Sequence, residues 1–97
     1  MQIRLIDFTA AWCGPCRQLK PVIEQLKAEY GAKLHVDVID VEEDRAAAEK
    51  YGVRVMPTIV LERDGQIVGH TTGARPQKFL KGMIDRALNG EVAIASP

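Results

Sequence analysis

The sequence predicts an α/β fold: a mixed four-stranded sheet, in the chain order β-α-β-α-β-β-α, with helices on both faces. Three observations carry this. Short β-branched, apolar runs alternate with stretches of helical periodicity. Gly, Pro, Asn-Gly and Asp-Gly punctuate the chain about every ten to twenty residues. The chain has 97 residues, 46% hydrophobic and 27% charged, which suits one domain over 1–97 whose core closes without metals or disulfide staples.

Residues 2–8 (QIRLIDF) are apolar apart from Gln2, Arg4 and Asp7 and read as a strand that becomes buried toward its end. Residues 10–13 form a loop. From Pro15 the period becomes helical: Leu19, Val22, Ile23, Leu26 and Tyr30 fall on one stripe. Pro15 suits a first helical turn, Pro21 inside the helix is expected to kink it, and Gly31 is placed to end it. Residues 34–41 (LHVDVIDV) are the second strand, and residues 43–50 (EDRAAAEK) a short helix stopped by Tyr51-Gly52. Residues 58–62 (TIVLE) and 66–72 (QIVGHTT) flank Asp64-Gly65, a hairpin signal. A last helix spans 76–89, with Phe79, Leu80, Met83, Ile84, Ala87 and Leu88 as its apolar positions. Residues 91–97 have no pattern. The first β-α-β unit should be parallel and right-handed, and the hairpin should add two antiparallel strands.

Composition excludes several classes. Lys plus Arg number 13 and Asp plus Glu number 13, so the basic excess of a nucleic-acid binder is missing. No apolar run approaches the roughly 20 residues of a membrane span. Met1-Gln2-Ile3-Arg4-Leu5 lacks the basic and long apolar regions of a signal peptide. Two cysteines are too few for a disulfide scaffold.

Those two cysteines carry the chemistry. Trp12-Cys13-Gly14-Pro15-Cys16 lies between the first strand and the first helix. A spacing of three sets the sulfurs about one turn apart, close enough to bond. Cys13 falls at the helix start, where unpaired N–H groups and the macrodipole favour a thiolate. Cys16, one turn in, is expected to be more buried and less acidic. Cys13 is then the attacking sulfur and Cys16 the one that resolves the mixed disulfide. Other readings remain. Half a zinc site needs four ligands, and His35 and His70 lie in separate strands without metal spacing. A buried structural pair leaves the placement unexplained. Haem attachment needs His after the second Cys, where Arg17 stands.

Trp-Cys-Gly-Pro-Cys after the apolar strand containing Ile6-Asp7-Phe8 resembles the thioredoxin family. Met56-Pro57-Thr58 resembles its cis-proline segment, Asp64-Gly65 its hairpin turn and Gly73 its substrate-surface glycine. The resemblance covers about residues 3–90. It implies the thioredoxin fold and a thiol–disulfide oxidoreductase that reduces protein disulfides through Cys13 and Cys16. It implies no bound cofactor, because the cysteines are the redox centre. The expected partners are disulfide-containing substrate proteins and a thioredoxin reductase, in this family often a flavoprotein using NADPH, with no nucleic acid and no membrane. The expected location is the cytoplasm.

Residue by residue, the resemblance makes Asp7 the buried acid that exchanges a proton with Cys16; burial raises such a carboxyl toward neutrality. It makes Met56-Pro57 cis, with the Met56 backbone beside Cys13 to pair with an extended substrate; a trans proline capping the third strand is the alternative. Trp12, Gly14, Pro15 and Gly73 would complete the substrate surface. Three departures stand out. Val38 occupies the position where the family usually has a lysine near the acid, leaving Asp7 to be tuned by burial or water. Thr9 stands where many members have a second aromatic. The family's usual N-terminal strand and helix have no counterpart, so the chain reads as a short or truncated thioredoxin with its 34–41 edge bare. A glutaredoxin-like, glutathione-linked protein and a non-catalytic binding subunit are the competing functions; Trp12 and Gly14 fit the glutaredoxin reading poorly.

Overall fold

The computed structural model describes residues 2–94. Strand β1 (Ile3–Thr9) leads into helix α1 (Gly14–Tyr30) and a 3-10 turn at Gly31–Lys33. Strand β2 (Leu34–Asp40), helix α2 (Arg45–Lys50), strands β3 (Thr58–Arg63) and β4 (Gln66–Thr72), helix α3 (Gln77–Leu88) and strand β5 (Ala93–Ile94) follow. The sheet order is β2-β1-β3-β4-β5. β2 lies parallel to β1, with Asp7 opposite Val38. β3 runs antiparallel to both β1 and β4.

Period-two alternation in β1 divides the core. Ile3 and Leu5 point toward α1 and α3, where they join Leu19, Ile23, Leu26, Leu80, Met83 and Ile84. Ile6 and Phe8 point the other way, with Val60, against Ala47, Tyr51 and Val53 on the α2 side. Helices therefore cover both faces, as the sequence predicts. Asp7 shares the face of Ile3 and Leu5, and this places it beneath α1.

Local chemistry sets the element ends. Cys13 is the N-cap of α1, and the helix runs through Pro21 to Gly31, which has φ +55° and donates its N–H to the Lys27 carbonyl. Helix α2 starts two residues later than the expected 43, because the Asp44 carboxylate caps it by accepting the Ala47 N–H at 3.0 Å. Asp64 and Gly65 both have positive φ, the backbone of a tight two-residue hairpin.

One expectation needs correction. The tail is not patternless: Ala93–Ile94 pairs with β4 as a parallel fifth strand, beside Gly69 and His70. Two residues are too few for periodicity to reveal. The strand fits there because Gly69 has no side chain; a Cβ at that position would lie 3.0 Å from the Ala93 carbonyl oxygen. Phe79, one of the apolar positions of α3, lies at the rim, 37% exposed, and stacks under the Arg75 guanidinium at 4.8 Å. On β2, Asp37 is engaged by Arg4 at 2.6 Å. The other Arg4 nitrogen meets Glu62 at 3.0 Å, and Tyr51 donates to the same carboxylate at 2.6 Å. That pairing permits Glu62 to be buried. Among the described residues β2 is an edge strand of the sheet, and Val38 on it is 62% exposed.

Candidate active site

The site forms where the C-terminal end of β1 meets the start of α1. Cys13 and Cys16 are joined as a disulfide with their Cα atoms 5.3 Å apart. The Cys16 N–H donates to Cys13 Sγ at 3.2 Å. This bond, together with the positive end of a 17-residue helix, favours negative charge on Cys13 and not on Cys16. No acidic residue in the first turn opposes it. Gly14 and Pro15 form that first turn, where the missing proline N–H costs nothing.

The expected difference in burial is not found. Cys13 is 3% exposed and Cys16 5%. Once joined, both sulfurs share one cover: Ala10 belongs to their buried cluster, and Val41 and Met56 pack against it. Position on the helix, not exposure, distinguishes the two. Ala10 and Val41 escaped sequence reading because nothing in their residue type marks them. Val41 is drawn in by its N–H, which donates to the Thr9 carbonyl at 2.9 Å.

Asp7 is 6% exposed, and its Oδ1 has no hydrogen-bond partner. Desolvation pushes its carboxyl from 3.8 up to about 6. It shares a cavity of about 260 Å³ with Cys16, so acid and resolving sulfur open onto the same space. Val38 lines that cavity from β2. With Val38 and not a cation at that position, burial is what raises the acid here.

The Met56–Pro57 bond is cis. Pro57 is buried, and Met56 reaches the cysteine cluster. Thr58 Oγ1 donates to the Val55 carbonyl at 2.7 Å, holding the loop ahead of the bend. The Pro57 carbonyl accepts the Gly73 N–H at 2.9 Å. Gly73 has φ +88° with open space where a Cβ would sit, so backbone conformation and not room calls for glycine there. Trp12 is 63% exposed beside Cys13, which sets aside a core-packing role. Arg17 donates to the Ala11 carbonyl at 3.3 Å and so steadies the loop before the motif. The structure thus brings Cys13, Cys16 and Met56 into one cluster, Asp7 alongside Cys16, and Pro57 together with Gly73. Trp12, Gly14 and Pro15 follow from adjacency to the cysteines.

Comparison with known proteins agrees with this geometry. A family model described as thioredoxin matches residues 1–86. The thioredoxin of Bacillus subtilis (strain 168) is 42% identical over 84 residues, covering 87% of this chain and 81% of the relative. The thioredoxin of Staphylococcus aureus (strain Mu50 / ATCC 700699) is 40% identical over 86 residues, covering 89% and 83%. The X-ray structure of Fasciola hepatica thioredoxin superposes with a TM-score of 0.82 at 38% identity, covering 88% of this chain and 80% of that one. The protein is a dithiol–disulfide oxidoreductase that reduces protein disulfides through Cys13 and Cys16. By its fold, its Cys-Gly-Pro-Cys helix start and these relatives, the chain belongs to the thioredoxin family.

Proposed function

We propose that the two sulfurs and the buried acid divide the exchange reaction as follows, with the whole chain, 1–97, working as a single thioredoxin-like domain. In the reduced protein the Cys13 thiolate attacks one sulfur of a substrate disulfide. A Cys13–substrate bond forms, and the other substrate sulfur leaves as a thiolate. Asp7 takes the proton from the Cys16 thiol. The Cys16 thiolate then attacks Cys13 Sγ, and the second substrate sulfur leaves. The substrate ends as a dithiol, the protein as the Cys13–Cys16 disulfide, and two electrons have moved. The Asp7 proton returns to a departing thiolate or to solvent. The hydrogen bond from the Cys16 N–H to Cys13 Sγ carries this division of labour, since it lowers the energy of charge on one sulfur only.

Trp12, Gly14, Pro15, Met56, Pro57 and Gly73 form the surface on which an extended substrate segment lies, its backbone pairing at Met56. A thioredoxin reductase supplies the electrons that reopen the disulfide, and the protein works in electron transport and redox balance in the cytoplasm. The bacterial thioredoxins among its relatives support that setting. No helix among the described residues is long and apolar enough to cross a membrane.

Two measurements test this. Insulin reduction by dithiothreitol is accelerated by the native chain and not by Cys13→Ser; equal acceleration by that variant would refute the role of Cys13. The rate at which Cys16 resolves a preformed mixed disulfide rises with pH through about 6 in the native protein, and Asp7→Asn removes that rise. An unchanged profile in the variant would take the proton-exchange role away from Asp7.

A further inference from the structure

Ionising a carboxyl group inside a fold requires something to replace the water it has lost. Asp7 Oδ1 has no such group: it is buried and unpartnered. Charged side chains reach the cavity it opens onto from two elements. Helix α1 brings Arg17, Lys20 and Glu24, and β2 brings Asp40. Of the two β1 residues that line the cavity, Asp7 and Thr9, only Asp7 is charged.

Three of those four side chains are engaged. The Arg17 guanidinium donates to the Ala11 carbonyl. The Asp40 carboxylate accepts the N–H groups of Glu42 at 2.8 Å and Glu43 at 3.4 Å. Glu24 stands 3.8 Å from Lys27. Lys20 forms no hydrogen bond or ion pair among the described residues. It lies four residues beyond Cys16, one turn along the same helix face, and lines the same cavity. Its stem is flexible and its ammonium is a compact charge. Val38, exposed on the β2 side of that cavity, offers an apolar wall along which such a stem can lie.

We propose that Lys20 is the mobile counter-ion of Asp7: when the carboxyl loses its proton, the Lys20 ammonium enters the cavity and pairs with Oδ1, and it withdraws when the proton returns. The proposal rests on the proton-exchange role given to Asp7 above. An opposite charge within about 4–6 Å favours the ionised form, so the lysine opposes the desolvation that holds the carboxyl up near 6. Acting through Asp7, Lys20 is a positioning residue. It sets the pH at which the acid becomes able to accept the Cys16 proton.

NMR titration of the Asp7 carboxyl in the full, oxidised chain tests the pairing, because neither cysteine titrates in that state. Lys20→Met is expected to raise the Asp7 pKa by about one unit, and Lys20→Arg to leave it at the native value. Arg17→Met, which removes a cation from the same cavity, is expected to change it little. An Asp7 pKa unaltered by Lys20→Met, or raised equally by Arg17→Met, overturns the proposal. The mixed-disulfide resolution profile separates the two ideas. If Asp7→Asn leaves that profile unchanged while Lys20→Met still moves the NMR titration, the pairing stands and the catalytic role of Asp7 falls.

Discussion

Replacing Asp7 by asparagine is expected to stabilise the oxidised protein above neutral pH, by an amount that follows from the buried carboxyl. Its pKa is raised in the folded chain from 3.8 to about 6 by desolvation. The unfolded chain keeps the ordinary value, so between those two values the folded state binds the proton more tightly. Stability is therefore greatest with the group protonated and falls as pH rises through about 6. The total penalty is about 3 kcal/mol. About 2.4 kcal/mol of it falls between pH 4 and pH 8, because the unfolded aspartate is already about half ionised at pH 4. Asparagine has the shape of the acid and no charge, so Asp7→Asn should remove this dependence. Any difference in hydrogen bonding between the amide and the protonated acid is constant with pH, and comparing two pH values cancels it. Urea unfolding of both oxidised proteins at pH 4 and pH 8 is the assay. The stability difference should widen by about 2.4 kcal/mol in favour of the variant, a melting shift of roughly 10–15 °C for a domain this size. A difference that stays constant with pH would show that Asp7 has an ordinary carboxyl and would refute the desolvation argument.

Two glycines are expected to respond with opposite signs. At Gly69 a Cβ would lie 3.0 Å from the Ala93 carbonyl oxygen and 3.1 Å from both Leu61 Cδ1 and Met83 Cε; Gly69→Ala should cost about 1–3 kcal/mol in urea unfolding and loosen β5. At Gly82, exposed within α3 with nothing within 4 Å of the added atom, Gly82→Ala should gain about 0.5–1 kcal/mol. In the Cys16→Ser variant, the mixed disulfide formed at Cys13 has no resolving sulfur and should accumulate on substrate proteins. Non-reducing gels read this directly, and accumulation on Cys13→Ser instead would reverse the assignment of the two sulfurs.

The elements that position the site were legible because each carries its own local signal. The β1 pattern Ile3, Leu5, Ile6 and Phe8 needs both faces buried, and the helical stripe from Leu19 to Tyr30 admits one orientation. Pro15 and Gly31 bracket α1 by rules that act within a few residues. Strand β5 was not legible, since two residues hold no period and its docking depends on a glycine 24 positions earlier. That Phe79 lies at the rim was not legible either, because helical periodicity tells which residues share a face and not how wide the covered face is; Arg75 takes the ring there.

At the active site, residue type and spacing by themselves determined that two sulfurs lie within bonding reach at a helix start. Only the tertiary structure decided that both are equally covered, because the cover comes from Met56 and Val41, residues far along the chain brought in by the sheet and the cis bend. It also decided that the cavity over Asp7 is shared with Cys16 and Lys20 and walled by an exposed Val38. Local rules act through the few residues on either side. Desolvation and charge pairing depend on what the folded chain places within several ångströms, and that distance has no counterpart in sequence separation.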